Sequence, residues 1–255
     1  VPFGLDREPP RPGPALRGVV PGIAADDRIV IWNGGLWDWF DPLTAIRAVE
    51  RLAASHPRLR LVFLGTRHPN PAIGQPPMAA RARALAAELG LAGRSVFFRD
   101  WTPYAERGAY LLDADLAISL HVDGVESRFS FRTRLLDCIW AGLPTVASRG
   151  DVVADELAAR GLGITVPTGD PGAVADALAA LLDEPAARAT RQARFAALAA
   201  ELTWDGAVDP LARFLAAPRR AADRQPSTPS TPPLDAETPP PPPPTLWQRL
   251  RSAAR

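Results

Sequence analysis

Between Glu126 and Ser148 the sequence reads ESRFSFRTRLLDCIWAGLPTVAS, which gathers Arg128, Arg132, Arg134 and the carboxylate of Asp137 around a helix start and follows them with an apolar strand. Basic side chains at a helix N-terminus oppose the macrodipole, so a cluster of them there points to a bound anion. The spacing predicts a helix over 131–141 capped by Ser130, with Phe131, Leu135, Leu136 and Ile139 as its buried stripe. Thr133 and Asp137 then lie one turn apart on the opposite side. Arg132 falls in the first turn beside the free N–H groups, an arrangement that holds a phosphate or diphosphate by backbone donors and a guanidinium fork. Arg134 reads as a second anion contact or a solvated side chain, and Arg128 as a loop arginine.

Two further turns carry side chains suited to binding. NGGLWDWFDP (33–42) has Gly34 and Gly35, which permit close backbone approach, and Asp41 before Pro42, a good N-cap and first helical residue. Trp37, Trp39 and Phe40 form an aromatic loop that is costly to leave in water, and its reading as a lid over a ligand or a second domain stands beside that of a plain tight turn. GTRHPNP (65–71) sets Arg67 and His68 just after an apolar run, either as ligand contacts or as a solvated loop.

The elements that must position these turns are a repeating series. Apolar runs at 28–33, 59–65, 95–100, 116–120, 144–148 and 163–167 alternate with helical patterns at 42–54, 77–89, 104–113, 131–141, 151–160 and 171–183. Strands that are apolar throughout, each followed by a helix, call for a parallel sheet buried on both faces, hence a single doubly wound α/β, Rossmann-like domain over 28–217. Ala-rich helices near 185–201 and 205–217 pack outside it. Residues 1–27 are broken by prolines and read as a linker or crossover. From 218 to 245 a Pro-rich stretch has almost nothing to bury and reads as disordered, with polyproline II character. The last residues, 246–255, form a short basic amphipathic segment through Leu246, Trp247 and Leu250.

Composition excludes several classes. With 47% hydrophobic and 22% charged residues and a formal net charge of +1, the chain is globular, and nothing in it demands a nucleic acid. All 29 basic residues are arginine, which fits a GC-rich coding sequence. The single cysteine, Cys138, allows no disulfide framework, and His56, His68 and His121 lack ligand spacing, so no metal is expected. No apolar run approaches the ~18 residues that span a bilayer, and the N-terminus shows no signal-peptide pattern. A cytoplasmic setting fits, with the terminal basic segment as a weak contact to a membrane surface or a partner.

FSFRTRLLDCIWAGLPTVAS (129–148) resembles the donor-binding signature of the retaining GT-B glycosyltransferases of group 1, in which a Glu-x7-Glu element precedes a stretch of the form AxGxPVVAS; AGLPTVAS (141–148) matches it closely. VPFGLD (1–6), RIVIWNGG (28–35), DADLAISLH (113–121) and GDPGAVADALAALLDEP (169–185) resemble other parts of the same family. The resemblance implies the C-terminal, donor-binding half of a GT-B fold. It implies transfer of a sugar from a nucleoside-diphosphate sugar to an acceptor hydroxyl of a glycan, lipid or small molecule, with the acceptor half on a separate domain or chain. By spacing from Gly142, Asp137 takes the place of the second Glu, which orients the ribose. Phe129 takes that of the first, for which Glu126 can substitute from the loop. The basic residues usually found after the first strand are missing, so Arg132 and Arg134 take over the diphosphate, Arg132 and Glu126 being the catalytic candidates. Gly34, Gly35, Arg67, Ser130, Phe131, Thr133, Arg134 and Asp137 are the donor-binding candidates, with the base against Thr102–Tyr104 and no metal or other cofactor required. The alternative, motivated by Phe129 and by the absent acceptor half, is a non-catalytic or partner-dependent nucleotide-binding module.

Overall fold

The six apolar runs become six strands: β1 (Arg28–Trp32), β2 (Leu59–Phe63), β3 (Val96–Phe98), β4 (Leu116–Ser119), β5 (Thr145–Ser148) and β6 (Gly163–Val166). A computed structural model describes residues 3–70, 72–184 and 188–219 of the chain. All strand pairs are parallel, in the order β3-β2-β1-β4-β5-β6. The chain winds outward from β1 to β3 and then returns to place β4 on the other side of β1. The carboxyl ends of β1 and β4 therefore flank the crevice at which ligands enter sheets of this kind.

The helices are α1 (Pro42–Leu52), α2 (Pro77–Glu88), α3 (Arg107–Leu112), α4 (Val125–Phe129), α5 (Thr133–Ala141), α6 (Val152–Ala159), α7 (Pro171–Leu182), α8 (Arg188–Glu201) and α9 (Trp204–Ala216). A 3-10 turn (Tyr104–Glu106) leads into α3. One layer, α1, α2 and α7, buries Ile46, Val49, Ala82 and Leu178 against the sheet face that holds Val30, Leu61 and Ile118. The other face is covered by α3 and α5, with α6 and α8 packed on α5. Aspartates start three helices. Asp41 accepts from Thr44 N, Asp151 from Val153 N and Ala154 N, and Asp170 from Ala173 N. Gly142, at φ 64°, closes α5 in the left-handed conformation and releases the chain into β5.

Residues before β1 were expected to be a linker, yet they are packed. Ala15, Leu16, Val20 and Ile23 join the core against α3 and the sheet, and Leu5 joins the cluster of α5 and α8. Asp113 fixes this segment by accepting from Leu16 N and Arg17 N at 2.7 and 2.9 Å, while Arg17 pairs with Asp113 and Asp115. The prolines prevent regular structure without preventing burial.

Packing divides the chain into Val1–Arg213 and Phe214–Arg255. Of the second unit, Phe214–Ala216 are helical. The Pro-rich stretch beyond 219 and the basic segment at 246–255 lie outside the described residues. No helix among the described residues is long and apolar enough to cross a membrane.

Candidate functional site

At the carboxyl edge of the sheet a cavity of about 180 Å³ is lined by Asn33, Gly34 and Gly35 after β1, Gly65 after β2 and Trp101 and Thr102 after β3, and by Arg107 and Asp137. Asn33 donates through Nδ2 to the carbonyl of Arg134 at 2.9 Å, tying the β1 loop to the start of α5. A Cβ added at Gly34 would lie 2.9 Å from the Arg134 Cζ, so the glycine is what lets the guanidinium rest on the loop.

Arg134 makes no side-chain hydrogen bond or ion pair among the described residues, and its Nη1 is fully buried without a partner. The group is held from below by the Phe40 ring, 4.0 Å away, and by Trp32 at 5.8 Å. Burial, with the charge of Arg132 adding to it, lowers its pKa to about 10, so it is cationic at neutral pH. A partly buried cation at a helix N-terminus, with no ion pair among the described residues, is the arrangement an anion would complete.

Arg132 behaves differently. It is buried, and donates through Nη1 and Nη2 to the two oxygens of Glu126 at 2.9 and 2.7 Å, with its Cζ 5.0 Å from the Phe40 ring. The sequence set these two as separate candidates; the structure joins them in one forked ion pair. Phe40, expected in an aromatic lid, is 3% exposed and forms the floor under both arginines, while Trp37 and Trp39 stack beside it at 5.7 Å.

Asp137 is held by Arg107, whose Nε donates to Oδ1 at 3.1 Å while Nη2 reaches Asp6 at 2.7 Å and Nη1 the Tyr104 carbonyl. The Arg107 guanidinium lies 3.6 Å over the Tyr104 ring and 4.4 Å from that of Trp140. Burial pushes the Asp137 carboxyl up against the lowering effect of Arg107. Sequence reasoning missed Arg107: it sits in a polar turn, AERG, where nothing local marks it, and only tertiary packing brings Asp6, Tyr104 and Asp137 to it.

The remaining candidates are distributed unevenly. Ser130 was expected to cap α5, but the helix begins at Thr133 with Arg132 at the cap position and no side-chain cap bond. The short helix α4 ends in extended backbone at Ser130, whose Oγ is buried without a partner. Phe131, assigned to the buried stripe, is 40% exposed and stacks on Phe3; Cys138 takes its place in the core. Thr133 shares a neighbouring cavity with Asp137, whereas Arg67 is exposed and does not line the first one. Phe129 is exposed. The buried side-chain polar atoms without partners among the described residues belong to Trp32, His121, Ser130, Arg132, Arg134 and Asp151, all on this edge of the sheet. Polar atoms are rarely left unpaired inside a protein, so their concentration here makes this edge the candidate site.

The chain is 28% identical over 210 residues to the D-inositol 3-phosphate glycosyltransferase of Acidothermus cellulolyticus, a match covering 82% of this chain and 45% of that protein. It thus spans about half the length of that relative. Among solved structures it resembles Anabaena Alr3699/HepE in complex with UDP, with a TM-score of 0.62 at 16% identity over 75% of this chain and 49% of that one. It also resembles the C-terminal domain of LpcC, a glycosyl transferase group 1 family protein from Francisella tularensis, with a TM-score of 0.58 at 15% identity over 74% of this chain and 93% of that one. At such identities the likeness is one of fold, the C-terminal half of a GT-B architecture. Residues 27–184 match the family described as glycosyl transferases group 1, and the chain belongs to that family.

Proposed function

We propose that this chain is the donor-binding half of a glycosyltransferase, holding a nucleoside-diphosphate sugar whose sugar passes to an acceptor hydroxyl. The observation that carries this is Arg134, a cation whose side chain has no hydrogen bond among the described residues, at the N-terminus of α5 and resting on Gly34 beside the cavity. Membership of the family and the UDP held by HepE support the same ligand class.

In this reading Trp101 and Thr102 meet the base, and the Asp137 oxygen not bonded to Arg107 accepts from the ribose hydroxyls. Arg134, the first N–H groups of α5 and the backbone at Gly34 and Gly35 hold the diphosphate. When the anomeric C–O bond breaks, its electron pair passes to the diphosphate oxygen, and donors already in place there stabilise the leaving group. Arginine and the helix end supply the positive charge, with no metal needed. Glu126 keeps Arg132 fixed behind Arg134. The acceptor, a glycan, lipid or small molecule, is presented by a further domain or chain. The reading extends to a cytoplasmic protein, supported by a sequence with a single cysteine, Cys138, which allows no disulfide framework.

Calorimetric titration with UDP and GDP tests the proposal. Replacing Arg134 by Ala removes a charged hydrogen-bond donor and should weaken binding by about tenfold to a hundredfold. Wild-type affinity in a folded Arg134→Ala variant would sink it.

A further inference from the structure

Beyond the wall formed by Tyr104, Arg107 and Asp137 lie two cavities of about 290 and 590 Å³ that share Asp6, Arg107, Trp140 and Trp204 and form one groove. The smaller shares the wall residues with the cavity lined by Gly34 and Gly35, so groove and donor pocket adjoin. Aromatic faces line the groove and remain open to solvent: Tyr104 is 68% exposed and Trp204 41%. Phe3, itself exposed, stacks on Phe131 at 6.2 Å and meets Trp204 edge-on at 6.3 Å. Leaving several large rings in water around one concavity is costly unless a ligand covers them.

The charges of the groove say which ligand. Asp6, Glu8 and Asp137 face Arg7, Arg11 and Arg107, and the signs cancel. These groups are already engaged with protein partners, Arg107 with Asp6 and Asp137, Arg11 with Glu8, and Arg7 with Asp205. A groove without net charge gives no purchase to a free phosphate or a polycation. Flat rings flanked by carboxylates and guanidiniums instead suit a neutral molecule with apolar C–H faces and many hydroxyls, whose donors and acceptors find both kinds of partner along the rim. We infer that this groove is a saccharide-binding site, separate from the donor pocket, in which sugar rings lie on Trp204 and Tyr104 and their hydroxyls bond to Asp6 and Glu8. It goes beyond the donor reading and rests on Trp204, Asp6 and Glu8, to which that reading gives no role, while Tyr104, Arg107 and Asp137 form the wall that the groove shares with the donor pocket.

The test uses the full chain labelled with 15N and follows the tryptophan indole resonances during titration with maltotriose, cellotriose and mannotriose, neutral glycans of different linkage. At least one should shift the Trp140 and Trp204 indoles in a saturable way. Trp204→Ala should weaken that binding about threefold to tenfold, with Trp204→Phe recovering most of it and UDP affinity unchanged in both. Because Trp204 packs on the backbone of Gly4, Tyr104→Ala serves as a second variant and should weaken sugar binding to a similar degree. The inference is overturned if no trisaccharide moves either indole in folded protein, whether or not UDP binds. Shifts confined to Trp101 would overturn it as well, by placing the sugar in the donor pocket.

Discussion

Arg132 and Glu126 form a two-pronged ion pair across the break between α4 and α5, the guanidinium 5% exposed and the carboxylate 41%. Arg132 is thereby committed to a protein anion, whereas Arg134 has no ion pair among the described residues. Glu126→Gln leaves a buried guanidinium without its counter-charge. Breaking a fully buried pair costs about 3–5 kcal/mol, but water reaches the Glu126 side, so a loss of about 1–3 kcal/mol is expected. Urea denaturation measures it; an unchanged midpoint and slope would show that the pair adds nothing to the fold.

Gly34 is close enough to Arg134 that a methyl group there would touch Cζ. The obstructing atom is the far end of a flexible side chain, so Gly34→Ala should displace the guanidinium and leave the fold intact. UDP affinity is expected to fall about fivefold or more, with stability changed by less than about 1 kcal/mol. A variant that unfolds, or one that binds normally, would contradict this assignment.

Arg107 is a positioning residue for Asp137. If it fixes the carboxylate toward the ribose, Arg107→Ala should reduce the preference for UDP over 2′-deoxy-UDP as Asp137→Ala does, in addition to weakening both ligands. Arg107→Lys should not restore that preference, since an ammonium can neither bridge Asp6 and Asp137 as a fork nor stack flat between Tyr104 and Trp140. Variants that weaken both nucleotides equally would assign Arg107 a packing role only.

His121 is buried, and burial lowers its pKa below the ordinary value, with the Val122 carbonyl acting in the opposite sense. The folded state keeps the ring neutral while the unfolded chain protonates it below about pH 6.5. Stability is therefore fully present above that pH and is lost as pH falls toward the depressed folded value. His121→Leu should flatten the decline in stability between about pH 7 and 5 relative to wild type. An identical slope in denaturation midpoints would rule the ring out as its source.

Much of the fold was legible in the chain. Uninterrupted apolar runs such as RIVIW and LRLVF can be satisfied only by a sheet buried on both faces, and the observed strands fall within the expected ranges. Misread points were those where local pattern and tertiary packing compete. Phe131 has the helical spacing of a core residue, but α5 begins at Thr133, which frees Phe131 to stack on Phe3. Ser130 has the chemistry of a cap without the position. Phe40 looks like one more ring in an exposed loop until its bridge to His121 draws it beneath the arginines.

By itself the sequence determined the strand and helix order, the aspartates that start three helices, the glycine that ends α5 and the collection of arginines before β5. These are local choices, made by side-chain period, backbone freedom and hydrogen bonds that span a few residues. Which arginine is left without a protein anion was decided in three dimensions. Arg132 and Arg134 are two residues apart and chemically identical, yet one turns to Glu126 and the other to Gly34, because neighbouring positions at a helix start project in different directions. The Arg107 hub and the groove beyond it depend likewise on residues far apart in the chain, Asp6 lying 101 positions before Arg107 and Asp137 30 after it, which tertiary packing brings together and no local pattern records.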